Sequence, residues 1–303
     1  MPRRSPWILS IIALTLAAGA QSAPAPPATV TIQPHWQAGQ VLRWRLTIHS
    51  TLTRDAEGQS QTATLDNHSL AQMKIDSASP DGAVAELSVL SYKTDVSGLD
   101  AVAGQLRADE DKLSAAAPTL APLRVRIVNG GENQILSAPQ GSEYAEIVNM
   151  LEQLARTDTL PSGATRVGDQ WTRQRVQELE TLHFSLPTTL RCALRRLDWT
   201  PGGWQAEISV TTSADSALPP SSIPNFTEFA QQGYAAKATL NITGTATAKY
   251  QVATGMLASA NSETHNLFRI ELTGPQPQPI EITTRIDSTG TVEPAPAPAG
   301  AAH

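Results

Sequence analysis

The chain has 303 residues, a formal net charge of −6 and a single cysteine, Cys192. An acidic chain without a long Lys/Arg-rich run is not typical of proteins that bind nucleic acids or adhere to anionic lipid surfaces. One cysteine cannot form an intramolecular disulfide, so stability has to come from packing. We therefore expect no nucleic-acid partner and no disulfide framework.

The N-terminus has the pattern of a secretory signal peptide. Arg3 and Arg4 precede an apolar run from Trp7 to Ala18, which is followed by small residues up to Ala20. The run is too short to cross a bilayer, so it predicts a cleaved signal peptide over residues 1–20. No cysteine follows that could carry a lipid. We expect an exported protein, periplasmic or extracellular, that is not lipid-anchored and has no transmembrane segment after cleavage.

Two Ala/Pro-rich stretches bound the rest of the chain. Residues 21–29 predict a disordered linker, and residues 289–303 predict a disordered tail, because both have too little apolar variety to pack. The region between them, residues 30–288, is predicted to be a single β-rich domain.

The first half of that domain begins with a predicted three-strand meander. Its strands cover Val41 to Leu52, Ala63 to Ile75 and Val84 to Tyr92. The turns between them, Asp55–Gly58 and Ser79–Gly82, contain Gly, Pro and acidic residues typical of hairpins. We expect these strands to pair antiparallel.

The periodicity becomes helical twice in the following segment. The apolar spacing predicts one helix over Leu99 to Leu113 and a second over residues 143–156, with Ser142 as its N-cap. Pro161 and Gly163 prevent its continuation. The second helix therefore joins the two halves of the domain.

After Trp171 the strand pattern returns. A Pro-rich loop interrupts it and holds Phe226, Phe229 and Tyr234, with room for one short helix. The predicted strands cover Thr172 to Leu186, Thr188 to Leu197, Trp204 to Thr212, Ala238 to Val252, Met256 to Leu272 and Ile280 to Ile286.

The two halves, residues 30–140 and 165–288, resemble each other. The five residues from Ala85 to Val89, Ala-Glu-Leu-Ser-Val, recur as Ala-Glu-Ile-Ser-Val at 206–210. Gly39 opens the first half as Gly168 opens the second. Similar turn chemistry alone is the alternative explanation. The pattern predicts a mainly β, or β-rich α+β, fold: one large twisted antiparallel sheet or open barrel of two related halves, with two or three short helices.

Signatures of catalysis and of cofactor or metal binding are missing from the sequence. There is no Gly-x-Ser-x-Gly, no His-Glu-x-x-His, no phosphate-binding Gly-rich loop and no dinucleotide fingerprint. The six histidines are scattered, without a pair at ligand spacing. We therefore predict no catalytic residues, no metal ligands and no cofactor.

The candidate binding residues belong to two groups. Trp171 and Asp169 provide either a stacking platform and a polar anchor, or a core residue and its turn. The aromatic residues Phe226, Phe229 and Tyr234 either close the core permanently or form a movable lid over an apolar cavity.

Three stretches carry a resemblance to a known family. They are Trp36-Gln-Ala-Gly-Gln-Val-Leu-Arg-Trp44, Leu160-Pro161 with Val167-Gly-Asp-Gln-Trp171, and Tyr250-x-x-x-Thr-Gly255. Their order resembles the secreted bacterial family catalogued as domain of unknown function 6263, with its central Val-Gly-Asp-x-Trp motif. The likeness covers nearly the whole mature chain, although Arg43-Trp44 departs from the family's Tyr-rich position. It implies an exported β-rich protein and supplies no catalytic residue.

The sequence thus predicts an exported, non-catalytic binding or interaction module whose partner is another protein or an apolar small molecule. A periplasmic carrier of a lipid or other apolar ligand is one alternative. A hydrolytic enzyme with an unrecognised site is a second alternative.

Overall fold

The fold is described from a computed structural model that covers residues 24–98, 101–141, 144–179, 184–223, 226–276 and 278–296. The predicted signal peptide over residues 1–20, the predicted N-cap Ser142 and the last residues of the predicted tail lie outside the described residues.

The described residues form one sheet of eleven strands, three α-helices and two short 3-10 helices at Ala117–Thr119 and Pro220–Ser222. The helices are α1 (Ala101–Ala116), α2 (Ala145–Ala155) and α3 (Phe226–Gln231). The strands are β1 (Val41–Ala56), β2 (Gln59–Ser79), β3 (Gly82–Ser97), β4 (Leu123–Val128), β5 (Gln134–Ser137), β6 (Gln170–Leu179), β7 (Phe184–Thr200), β8 (Gly203–Leu218), β9 (Ala235–Gln251), β10 (Leu257–Thr273) and β11 (Ile280–Pro294).

The strand order is β5-β4-β3-β2-β1-β11-β10-β9-β8-β7-β6, and all neighbours pair antiparallel. Two meanders, β1–β5 and β6–β11, are joined in the middle of the sheet, where the first strand of the chain, β1, pairs with the last, β11. This confirms the predicted β-rich architecture, a large antiparallel open sheet with three short helices.

The C-terminal boundary of the prediction is wrong. Strand β11 continues through Pro294, so residues 289–294 belong to the sheet and not to a disordered tail. The reason lies in β1, whose residues from Trp44 to Ala56 all pair with β11. Thr289, Thr291 and Val292 are β-branched residues that favour a strand. They form one here because β1 provides a hydrogen-bonding partner. The two predicted helices are present as α1 and α2, with shifted ends.

Both meanders open in the same way. The amide of Gly39 donates to the carbonyl of Ile75 at 2.8 Å, and the amide of Gly168 donates to the carbonyl of Leu194 at 2.8 Å. Both glycines have positive φ, 82° and 98°, which a residue with a side chain rarely adopts. The recurring alanines are also equivalent, because Ala85 pairs with Ile75 and Ala206 pairs with Leu197.

The sheet is strongly curled at the end where the β2–β3, β4–β5 and β9–β10 turns lie, which we call the closed end. Thr157 donates to the carbonyl of Val128 at the end of β4, whereas the carbonyls of Asp158 and Leu160 accept from Arg173 on β6. Four residues span at most about 14 Å, whereas β4 and β6, nine spacings apart in the strand order, would lie roughly 43 Å apart in a flat sheet. We call Thr157–Leu160 the seam segment, because it joins the two edge regions.

The N-terminal segment crosses the closed end. The amide of Val30 donates to the carbonyl of Thr165, and the amide of His35 donates to the carbonyl of Thr254, both at 2.8 Å. Ile32, between these contacts, is buried. At Gly255 the segment passes so close that an added Cβ would lie 2.2 Å from the carbonyl carbon of Gln33. Only glycine fits this contact.

Buried side chains form three clusters on one face of the sheet, which we call the inner face. The first lies on β1–β4 beneath α2, where Leu87 and Met73 have no exposed surface. The second lies on β7–β9 around the seam segment and includes Cys192. The third lies beneath α3. Each helix therefore covers the same side of the sheet, and covers only part of it.

Candidate binding face

The central strands β1, β11 and β10 present an inner face that is only partly covered. Register places three neighbouring rows of inner-facing residues across β2, β1, β11, β10, β9 and β8. The first row is Asn67, Ile48, Gly290, Ser262, Ala246 and Val210. The second row is Leu65, Ser50, Ser288, Thr264, Gly244 and Thr212. The third row is Ala63, Leu52, Ile286, Asn266, Ile242 and Ala214. We call these three rows the trough.

The trough is open in the middle and closed at its sides. Ile48, Leu52 and Ile286 at its centre are half-buried, and Ser262 is exposed. At the sides, by contrast, Ala63 and residues of β8 such as Ala214 are buried. Aliphatic side chains thus meet solvent along a strip between the regions covered by α1 and α3.

Every position of the trough carries an uncharged residue. The outer face of the same strands differs, since it holds exposed ion pairs such as His265 Nδ1 to Asp287 Oδ1 at 2.7 Å and Arg269 Nε to Glu281 Oε1 at 2.8 Å. Exposed sheet faces of soluble proteins normally carry charges. The half-exposed trough has no charges and presents aliphatic side chains to solvent, a combination that can receive an apolar partner.

Some hydroxyl and amide groups of the trough have side-chain partners. Ser50 and Ser288 share a hydrogen bond of 2.8 Å across the β1–β11 pair. Ser69 donates to the side-chain oxygen of Asn67 at 2.6 Å, and Asn67 donates to Thr94 at 2.9 Å. These bonds let polar atoms lie beside aliphatic ones at low cost. The trough therefore has polar groups that water can solvate and aliphatic groups whose burial by a ligand would be favourable.

On the side of α1 and α2, the inner face meets two carboxylates. Tyr92 Oη donates to Glu110 Oε2 at 3.2 Å, and Glu110 is 7% exposed. Desolvation by the surrounding protein, and then the charge of Glu110, raise the pKa of Glu146, although part of its side chain still reaches solvent. Burial, and then Glu110, also raise the pKa of Tyr92. Glu146 on α2 and Glu110 on α1 therefore repel each other whenever both are ionised.

On the other side, α3 forms the border of the trough. Phe226, Phe229 and Tyr234 are half-buried and pack on the third cluster, so the structure brings these three predicted aromatic residues together. The amide of Tyr234 donates to the carbonyl of Phe229 at 2.9 Å. The helix has six residues, none of them buried, and it follows a Pro-rich loop. An element with so few buried contacts is one that can move at low cost.

Trp171 and Asp169 lie elsewhere, at the closed end. The indole Nε1 of Trp171 donates to the carbonyl of Thr159 at 3.1 Å, and its ring packs half-buried on the second cluster. Asp169 accepts the amide of Arg166 at 2.8 Å and the hydroxyl of Thr165 at 3.3 Å, a side-chain-capped turn. Neither residue contributes to the trough.

The trough itself was missed at the level of sequence. Its signal is a run of uncharged residues at alternate positions, such as Ile48, Ser50 and Leu52. The signal is hard to see, because the outward-facing residues between them, His49 and Thr51, are also polar and the strand therefore shows no simple apolar–polar alternation. Only the register shows that the uncharged positions of six strands share one face.

The described residues contain one buried thiol and no metal-binding cluster. Among them, no group of three or more His, Cys, Asp or Glu side chains is placed to hold a metal ion. Cys192 is 2% exposed, and burial raises its pKa to about 11, so the thiol is inert at neutral pH. The same ranges contain no helix both long and apolar enough to cross a membrane.

Comparisons with known proteins give only distant likenesses. No protein-family model matches the chain, and no curated protein matches it. Lipovitellin, in a structure on lipid–protein interactions, is similar over 88% of this chain with 13% identity and a TM-score of 0.41, and the chain covers 27% of that protein. An outer membrane channel from Pseudomonas putida F1 is similar over 86% of this chain and 97% of that one, with 8% identity and a TM-score of 0.23. The outer membrane protein OprG from Pseudomonas aeruginosa is similar over 87% of this chain and 99% of that one, with 11% identity and a TM-score of 0.17. At values this low, the likenesses carry no conclusion about function.

Proposed function

We propose that this protein is an exported, non-catalytic binding protein whose trough receives a slender, uncharged amphiphile, such as an acyl chain with a hydroxyl-bearing head. The observation that carries the proposal is the absence of charge from all three rows of a half-open sheet face. The proposal of export rests on the predicted signal peptide. The resemblance to the secreted family catalogued as domain of unknown function 6263 supports it.

The chemistry of the trough fits such a ligand. An acyl chain that lies on Ile48, Leu52 and Ile286 would bury their exposed apolar surface. This burial contributes about 25 cal/mol of binding free energy per Å². Ser262 is exposed, and its hydroxyl can both donate and accept a hydrogen bond. A charged head would lose hydration without gaining a partner there. A neutral head is therefore favoured.

The small helix α3 provides the cover. It lies beside the trough on the same face, and Phe226 and Phe229 are half-buried. A shift of α3 toward the central strands would place these aromatic rings over a bound chain. This is the movable-lid reading of the aromatic group.

The test compares two substitutions on one strand. Ile286→Asp places a carboxylate in the trough, whereas Thr289→Asp places it on the exposed outer face of the same strand β11. Binding of monopalmitoylglycerol, measured by displacement of a fluorescent acyl probe, should weaken roughly tenfold or more in Ile286→Asp, because a charge would be buried against the chain. Thr289→Asp should change it by less than about twofold.

Palmitate serves as the charged comparison ligand and should bind more weakly than monopalmitoylglycerol. Native mass spectrometry of gently purified protein, with extraction of bound material, provides an independent readout. A clean unliganded mass, together with no binding of either compound to the wild-type protein, would overturn the proposal. Equal binding by the two variants would show that the ligand does not lie in the trough.

A further inference from the structure

A cluster of charged side chains lies at the seam, on the same inner face but at the edge of the sheet. Arg173 and Arg175 point inward from β6 by alternation with Trp171. Arg156 and Asp158 reach the same place from the end of α2 and the seam segment. These arginines end the uncharged rows of the inner face, because Arg173 pairs with Leu190, and Leu190 pairs with Thr212 of the trough.

The ion pairing within this cluster is incomplete. Arg156 Nη2 lies 3.1 Å from Glu152 Oε1, but Arg156 Nη1 and Arg175 Nη1 lie 3.9 and 4.0 Å from Asp158 Oδ2. The last two distances are too long for hydrogen bonds. Arg173 uses its donors on the carbonyls of Asp158 and Leu160. Three guanidinium groups face two carboxylates, which leaves one positive charge unbalanced.

Three atoms of the cluster are buried without a hydrogen-bond partner among the described residues. They are Arg156 Nε, Arg175 Nε and Asp158 Oδ1. The side chains of Arg156, Asp158 and Arg175 are 21%, 17% and 19% exposed, so the cost of unpaired polar atoms is not fully relieved by bulk water. Burial, and then the neighbouring Arg156, lower the pKa of Arg175. A bound group that supplied the missing hydrogen bonds and charge would relieve this cost.

The missing group has a definite chemistry. It must accept hydrogen bonds from two guanidinium N–H groups, donate one to a carboxylate oxygen, and carry about one negative charge. A carboxylate or a sulfate has no proton to donate, and a water molecule has no charge. The singly protonated, monoanionic form of a phosphate monoester, or the same form of inorganic phosphate, meets all three requirements.

We propose that the seam binds a protonated phosphate group between Arg156 and Arg175, with Asp158 accepting its hydroxyl proton. The proposal does not rest on the trough, since the two sites use different residues and different chemistry. It concerns the phosphate group itself, whether free, on a soluble monoester or on a lipid head.

The experiment measures thermal stabilisation and calorimetric affinity with inorganic phosphate, glycerol phosphate and vesicles containing phosphatidic acid, each against sulfate at matched ionic strength. The wild-type protein should prefer the phosphate compounds to sulfate. Binding of soluble phosphates would identify a free ligand, and binding of vesicles alone would identify a lipid head. Stabilisation by none of the phosphate probes would overturn the proposal and leave a bridging water as the occupant.

Two variants locate the site. Arg175→Gln should weaken phosphate binding roughly tenfold or more, because it removes a charge-assisted bond, whereas Arg269→Gln on the outer face should leave it within about twofold. Asp158→Asn keeps all three arginines but replaces the carboxylate that accepts the ligand's hydroxyl proton. This variant should therefore bind sulfate and phosphate with similar affinity. Unchanged affinity in Arg175→Gln, or unchanged preference against sulfate in Asp158→Asn, would place the phosphate elsewhere.

The pH dependence gives a further check. The second pKa of a phosphate monoester lies near 6, so its protonated form dominates below that value. Affinity for glycerol phosphate should therefore fall between about pH 5.5 and pH 8 in the wild-type protein. The fall should be much smaller in Asp158→Asn. A wild-type affinity that rises with pH would contradict the proton-donor role of the ligand.

Discussion

The closed end and the trough are two regions of one sheet face, and they differ in how completely their side chains are buried. At the closed end, large aliphatic residues such as Leu87 and Met73 are fully buried beneath α2. In the trough, neighbouring strands of the same sheet carry small, hydroxyl-bearing or half-buried aliphatic residues, such as Ser50 and Leu52 of β1. The difference teaches that the inner face is not one continuous core. The closed end stabilises the fold through buried side chains. The trough stays accessible to solvent, yet it lacks the charged residues of an ordinary protein surface.

The largest expected difference between the two regions concerns their leucines. Leu87→Ala should lower the free energy of unfolding by roughly 2–5 kcal/mol, because it leaves a cavity in a fully buried cluster. Leu52→Ala should cost about 1 kcal/mol or less, because Leu52 is half-exposed. Urea unfolding of both variants measures the two values. Equal costs would mean that the trough is packed as tightly as the closed end.

The next prediction compares two glycines with positive φ, one at each end of the sheet. Gly255 (φ 65°) touches the backbone of Gln33, whereas Gly58 (φ 77°), in the β1–β2 turn, has nothing within 4 Å of an added Cβ. Both alanine variants pay about 1–2 kcal/mol for the left-handed conformation. Gly255→Ala should lose additional stability, because the N-terminal segment has to move away.

Thermal unfolding and limited proteolysis of the N-terminal segment provide the readouts for the glycine pair. Gly255→Ala should expose the region around Ile32 to protease, and Gly58→Ala should not. If the two variants behaved alike, the N-terminal segment would not be closing this end of the sheet.

The smallest expected effect is a pH dependence at the border of the trough. The pKa of Glu146 is raised above its ordinary value of 4.5 by desolvation and by Glu110, and the effect is small because part of the side chain reaches solvent. A carboxyl group with a raised pKa binds more protons in the folded state, so its contribution to stability is complete below the unfolded pKa. That contribution is lost as pH rises through the folded pKa. Stability should therefore fall over this window as Glu146 ionises beside Glu110.

Glu146→Gln should remove this part of the pH dependence, because the amide does not ionise. Glu281→Gln on the exposed outer face should leave it in place. The measurement is the free energy of unfolding at a series of pH values from about 4 to 8. A pH dependence that is the same in Glu146→Gln and in the wild-type protein would show that α1 and α2 do not meet through these carboxylates.

Local patterns in the sequence were sufficient for the type of most elements. Period-two alternation and Gly/Pro turns predicted the strands, and helical spacing predicted α1 and α2, because these signals depend only on near neighbours. The end of β11 was missed, because residues 289–294 become a strand through pairing with β1, far away in the chain. The candidate aromatic residues Phe226, Phe229 and Tyr234 do cluster, since they lie close together in sequence.

The sequence by itself determined the β-rich class, the hairpins, the helical joint between the halves and the inert buried thiol of Cys192, because each follows from local pattern and composition. The tertiary structure alone decided that β1 pairs with β11, and hence that uncharged positions of six strands meet in one trough. It also brought Arg156 and Arg175 to one carboxylate across the seam. The physical reason is register: a shift of one residue would turn each strand over, and no local signal reports which face of one strand will adjoin which face of another.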